Sequence, residues 1–155
     1  LQESAATKGP GATAPIGLAT YISEAIVRDL KDGQFTGGNR VRLRLAHVWE
    51  EVNANPGEEW NLPALAKRMH VSVRQFQRIM KENYDVTAEG LLMRIRMEHA
   101  RELLSSTDMT MVMVADRIGY QCVFAFSKGF RRHFGMPPGA YRKAVNKGTI
   151  PHDVA

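Results

Sequence analysis

Residues 61–80 read NLPALAKRMHVSVRQFQRIM, and the fold turns on whether they form one interrupted helix or two. Two start signals stand in this stretch. Asn61 can cap LPALAKRM, with Pro63 in the first turn, where a missing N–H costs nothing. Ser72 is followed three residues later by Gln75, the spacing at which side chains and backbone N–H groups satisfy each other reciprocally. Leu62, Leu65, Ala66 and Met69 share one face of the first segment, and Phe76, Ile79 and Met80 one face of the second. The stretch therefore reads as two short helices around a turn at HVS.

The same design recurs in residues 110–130, TMVMVADRIGYQCVFAFSKGF. Thr110 caps a helix whose Met111, Val114, Ala115 and Ile118 precede a turn at GYQ; a second helix starts at Gln121 or Cys122 and turns Phe126 and Phe130 inward. Ala66 and Ala115 hold the same place, a small residue where the two helices of each pair cross. A short helix, a tight turn and a second helix with a free outer face make the helix-turn-helix pattern that places its second helix in a major groove. Between the two units Thr87 caps a long helix through Ser105, a rod of roughly 27 Å at about 1.5 Å per residue. Such a rod can hold two readers in successive major grooves, which face one side of a duplex about 34 Å apart. One chain then does what a repressor dimer does with two.

The flanking sequence completes the outline. Residues 1–17 are rich in Ala, Gly, Pro and Thr and read as a tail or linker. Leu18, Tyr21, Ile22, Ala25, Ile26 and Leu30 predict a short amphipathic helix, which DGQFTGGN interrupts. Val41, Leu45, Val48, Trp49 and Val52 form the stripe of another helix that ends before NPGEE. Gly135, Pro137 and Pro138 close the second reading helix before a last helix around Ala140–Val145. No alternating strand pattern is present. The expectation is an all-α fold of about seven helices, with two helix-turn-helix subdomains joined by a long linker helix and an N-terminal helical extension. Its segments are a tail and remnant of an upstream domain at 1–39, the double helix-turn-helix at 40–145, and a C-terminal tail at 146–155.

Charge agrees with a polyanion partner. The net charge of +5 is concentrated in residues 61–145, which carry fourteen Lys/Arg against seven Asp/Glu, whereas residues 1–60 carry six against eight. No apolar run approaches the ~20 residues of a spanning helix, and no continuous basic amphipathic helix points to a membrane surface. Enzyme chemistry finds no constellation. Glu50/Glu51 and Glu58/Glu59 are neighbours that point in different directions, and His47, His70, His99, His133 and His152 lack metal-ligand spacing. Cys122, the single cysteine, reads as a small, partly buried residue rather than a redox sensor or methyl acceptor. No cofactor is implied.

In order along the chain, LPALAKRMHVS, FQRIMK, LLMRIRMEHARELL, VADRIGY, FSKGFRRHFG and PPGAYRK resemble the DNA-binding domain of the AraC/XylS family of bacterial transcription regulators, over residues 61–143. The resemblance implies a cytoplasmic, sequence-specific regulator that is an activator in function, with double-stranded DNA as its partner. It also implies that any effector binds a separate domain outside this chain. A contact with RNA polymerase or a partner subunit is suggested instead by the surplus apolar residues of MTMVMVAD, residues 109–116. Three positions depart from the family pattern. Asp85 stands where a glycine usually follows the first reading helix, Cys122 where Asp or Ser caps the second, and Met113 where an acid completes a capping box with Thr110.

Candidate readers follow from the inward and outward faces. With Phe76, Ile79 and Met80 inward, the first reading helix turns Val73, Arg74, Gln77, Arg78 and Lys81 outward. Arg takes guanine and Gln takes adenine through paired hydrogen bonds, which makes Arg74, Gln77 and Arg78 the base readers. On the second, the resemblance assigns Val123, Phe124, Ala125 and Lys128 to the DNA, while Phe126, Phe130 and Phe134 are core. Val123 and Ala125 can pack only on thymine methyl groups, so this unit discriminates less, and Phe124 is either a base contact or extra core. Ser72, Lys81, Arg131, Arg132 and Lys143 are assigned to phosphates. Arg96 matches the family's arginine in the linker helix, for which the resemblance implies a structural or backbone role. The competing class is a protein-interaction module with nonspecific DNA affinity, suggested by the consecutive apolar residues Met111, Val112, Met113 and Val114.

Overall fold

A computed structural model describes residues 37–84 and 86–149. Over these residues the chain folds into seven helices and no strand. They are α1 (Gly37–Ala54), α2 (Leu62–Arg68), α3 (Val73–Asn83), α4 (Ala88–Ser106), α5 (Met111–Arg117), α6 (Val123–Phe134) and α7 (Pro138–Asn146). The helix expected over Leu18–Leu30 and the position of Asp85 lie outside the described residues.

The start signals act as their chemistry dictates. Asn61 Oδ1 accepts from Ala64 N at 2.9 Å, Thr87 Oγ1 from Gly90 N at 3.1 Å, and Thr110 Oγ1 from Met113 N at 3.2 Å. Ser72 and Gln75 close the full capping box. Two boundaries differ from the sequence expectation. Gly37 and Gly38 enter the first turn of α1, where N–H groups lack intrahelical partners and propensity counts for little. The last helix begins at Pro138, whose fixed φ suits the first turn, rather than near Ala140.

Two cores form, one beneath each reading helix. Leu45, Val48, Trp49 and Val52 of α1 join Leu65 and Met69, Phe76 and Met80, and Leu91 and Ile95 of α4. Met97, Ala100 and Leu104 of α4 join Val114 and Ile118, Phe126 and Phe130, and Tyr141 and Val145 in the second. Edge-to-face contacts link Phe126, Phe130 and Tyr141, with ring centroids at 5.8 and 5.6 Å. The linker helix serves both cores, and the change falls between Ile95 and Met97. Beside the second core, Arg101 pairs with Glu98 at 3.1 Å, and His133 of α6 approaches the same carboxylate at 3.7 Å.

Candidate nucleic-acid interface

Each reading helix is aimed by the turn before it, and the two turns are alike. After α2, His70 N donates to Lys67 O and Val71 N to Ala66 O; after α5, Gly119 N donates to Asp116 O and Tyr120 N to Ala115 O. Both pairs make the six-residue and four-residue loops of a Schellman ending, with His70 and Gly119 left-handed at φ 56° and 80°. The closing residues Val71 and Tyr120 pack onto their respective cores. Ala66 and Ala115, both 2% exposed, leave room at the crossing.

On α3, Phe76 and Met80 are buried, and Arg74, Gln77, Arg78 and Lys81 are exposed together on the opposite side. Val73 is not outward: it packs against the first core, because the first residue of α3 lies over the α2 face. Arg78 Nε approaches Glu82 at 3.7 Å, a loose, solvent-screened pair. Arg42 of α1 donates from Nε to Asn83 Oδ1 at 2.9 Å, so the first helix of the bundle also fixes the end of α3. Ser72 is exposed, with its hydroxyl engaged in the capping box.

On α6 the exposed face is chemically different. Phe124 is 81% exposed, which places it outside the core and removes the second of its two sequence readings. Ala125 and Lys128 are exposed beside it, whereas Val123 is half-buried against the second core. Cys122 is exposed, contrary to the partly buried place expected of it. It stands in the extended conformation of an N-cap residue ahead of α6 and makes no side-chain cap bond. Arg131 and Arg132 are exposed in the last turn of α6, with Arg132 Nη2 resting at 3.2 Å from Met93 Sδ of the linker helix. Lys143 is exposed on α7.

The remaining polar residues behave structurally. Arg96 donates to the carbonyls of Pro56 and Glu58, each at 3.0 Å, and burial pushes its guanidinium below its ordinary pKa, with Tyr120 opposing the shift. Burial raises Tyr120 in turn, against the pull of Arg96 and Arg132. His99 bonds Asn53 at 3.1 Å, and among the described residues no three His, Cys, Asp or Glu gather to hold a metal. Nor is any helix of these residues long and apolar enough to cross a membrane. Sequence reasoning missed Arg42, Glu98, Arg101 and Gly57. Arg42, Gly57 and the His133 contact of Glu98 join different elements, where no local spacing announces them, whereas Glu98 and Arg101 pair at i,i+3 on α4.

Known proteins share this arrangement. The family profile described as a helix-turn-helix domain matches residues 65–144. The chain is 30% identical over 104 residues to the RCS-specific HTH-type transcriptional activator RclR of Escherichia coli, covering 67% of this chain and 37% of that one. It is 30% identical over 131 residues to the HTH-type transcriptional regulator MtrA of Neisseria gonorrhoeae, covering 83% and 44%. It thus spans less than half the length of either relative. Among solved structures, the DNA-binding domain of the global transcriptional factor AdpA, determined with a target DNA, superposes with a TM-score of 0.65 at 30% identity, covering 68% of this chain and 95% of that one. An AraC-type regulator from Chromobacterium violaceum gives 0.62 at 25%, covering 67% and 93%. With two Schellman-closed helix-turn-helix units on one linker helix, the chain belongs to the AraC-type family of DNA-binding transcription regulators.

Proposed function

We propose that residues 40–145 form a DNA-binding domain that reads two blocks of a bacterial operator with chemically different helices. Arg74, Gln77 and Arg78 of α3 take base edges through hydrogen bonds, guanine by Arg and adenine by Gln. Phe124 and Ala125 of α6, with the edge of Val123, pack on thymine methyl groups, and Lys128 adds a donor. Ser72, Lys81, Arg131, Arg132 and Lys143 hold the phosphates, which gives affinity and register without sequence information. The observation that carries this reading is the exposure of both faces on helices aimed by matching turns.

The whole protein is on this reading a cytoplasmic activator whose effector binds a domain outside this chain, with RNA polymerase as its further partner. Val112 and Met113 of α5, 63% and 51% exposed, favour a protein contact on that side of the second unit. The competing reading makes this contact the main function and leaves DNA affinity nonspecific. Selection of duplexes from a random pool at near-physiological salt separates the two. Two enriched blocks about one helical turn apart are the expected result. No enrichment, with affinity falling equally for all duplexes as salt rises, would leave only a basic surface.

A further inference from the structure

Arg96 is the residue between the two cores, following Ile95 of the first and preceding Met97 of the second. Its guanidinium grips the loop between α1 and α2 by two carbonyls, those of Pro56 and Glu58. Gly57 lies between them, and its backbone is pressed onto the end of α5: a methyl group built there would stand 2.5 Å from the Arg117 carbonyl oxygen. Gly119 closes the contact from the other side. A methyl there would meet Arg96 Nη2 at 2.9 Å and the Gly57 carbonyl oxygen at 3.2 Å.

The loop itself belongs to the first unit. Trp60, buried in the first core, donates from Nε1 to Asn55 O at 2.8 Å, and the Arg68 guanidinium lies 5.1 Å from the centre of its ring. A segment fixed to the first unit is thus seated on the turn that aims the second reading helix, and Arg96 holds it there. His99 and Asn53 add a bond between α4 and α1 three residues farther along the linker helix. These contacts brace the two units against twisting about the junction of their cores on α4.

We infer that Arg96, Gly57 and Gly119 form a clasp that sets the base-pair spacing between the two blocks; this rests on the two-reader function proposed above. One base pair adds about 3.4 Å and about 35° between block centres, since a turn holds 10–10.5 of them over about 34–36 Å. A clasped pair of readers accepts one spacing, whereas a hinged pair accepts its neighbours. Arg96 and the two glycines are positioning residues and touch no base.

The test measures binding to duplexes carrying the selected blocks at the preferred spacing and at one base pair more or fewer, with each block also presented alone. The intact protein should discriminate by about tenfold or more, and Arg96→Met and Gly57→Ala should reduce this to about threefold or less, with single-block binding changed less than about twofold. A second readout needs no DNA. Nitroxides on the native Cys122, exposed at the start of α6, and on Glu82→Cys at the end of α3 report the distance between the readers. The distribution should be narrow in that labelled parent and broaden when Arg96→Met is added, while Arg96→Lys, which keeps a donor, falls between. Unchanged distance widths, or variants that lose affinity at every spacing by the same factor, would overturn the clasp. Broadened distances in a protein that selects no second block would instead sink the two-reader function, and the spacing role with it.

Discussion

His70 and Gly119 occupy the same place in the two helix-turn-helix units, each donating its N–H to a carbonyl three residues back at 3.0 Å, yet one carries an imidazole and the other no side chain. The units differ again at the N-cap of the reading helix, two residues after His70 and three after Gly119. Ser72 closes a reciprocal capping box before α3, whereas Cys122 makes no cap bond before α6. The outer faces differ in the same sense, with two arginines and a glutamine on α3 and an exposed phenylalanine and alanine on α6. One backbone design thus carries two chemistries. The turn fixes where a reading helix points, and its outer residues are free to decide what it recognises.

The strongest way to break the comparison is through the cores. Phe76 and Phe130 are both fully buried, each beneath its own reading helix. Replacing either by Ala should cost about 3–5 kcal/mol. Because the two buried clusters are separate, each built on its own half of α4, the losses should be local: Phe130→Ala should speed amide exchange in α6 and α7 more than in α3, and Phe76→Ala the reverse. Equal loss of protection throughout would show that the two units unfold as one.

Next comes the shared turn position, where opposite signs are expected. Gly119→Ala places a Cβ in left-handed backbone and within 2.9 Å of Arg96, so thermal or denaturant unfolding should show a loss of about 2 kcal/mol or more. His70→Gly removes the strain of a side chain at φ 56° and should gain up to about 1 kcal/mol. A loss at His70→Gly would mean that the imidazole makes up for the strain.

The outer faces supply a smaller contrast, read as binding rather than stability. On the proposed assignment, Arg78→Ala should cost about 1–3 kcal/mol on the preferred site and relax choice at one or two adjacent base pairs. Phe124→Ala should cost less, about 1 kcal/mol, and the loss should be matched when deoxyuridine replaces thymidine in the second block. Equal weakening of the Arg78→Ala protein on all sequences would make that residue a phosphate contact.

Much of this was legible in the chain itself. Periodicities of three and four and the turn residues, with Asn61, Ser72, Thr87 and Thr110 as caps for four of them, locate the seven described helices, because helix starts and buried faces are local properties. The inward set on α3 and α6 follows from the same periods. Val73 and Cys122 escaped, since whether a first-turn residue lies over its neighbour or in solvent depends on the crossing of two helices. Phe124 stayed open for a related reason: an aromatic residue beside a row of core phenylalanines looks like one of them until the helix is rotated into place. The grip of Arg96 on Pro56 and Glu58 joins residues about forty positions apart. A structural role could be assigned to Arg96, but no spacing could name its partners.

The smallest expected effect concerns the missing cap. Cys122 has the extended backbone of an N-cap residue, at φ −133° and ψ 120°, with a sulfur that accepts hydrogen bonds weakly. Cys122→Ser supplies an oxygen for a free N–H in the first turn of α6 and should stabilise the second unit by about 0.5–1 kcal/mol, measured by denaturant unfolding. The gain should fall short of the loss in Ser72→Ala. Ser72 has Gln75 to return the bond, whereas the corresponding residue after Cys122 is Ala125, which has nothing to return. If Cys122→Ser changes nothing, the backbone before α6 is turned too far for a side-chain oxygen to reach, and the two units differ in geometry as well as in chemistry.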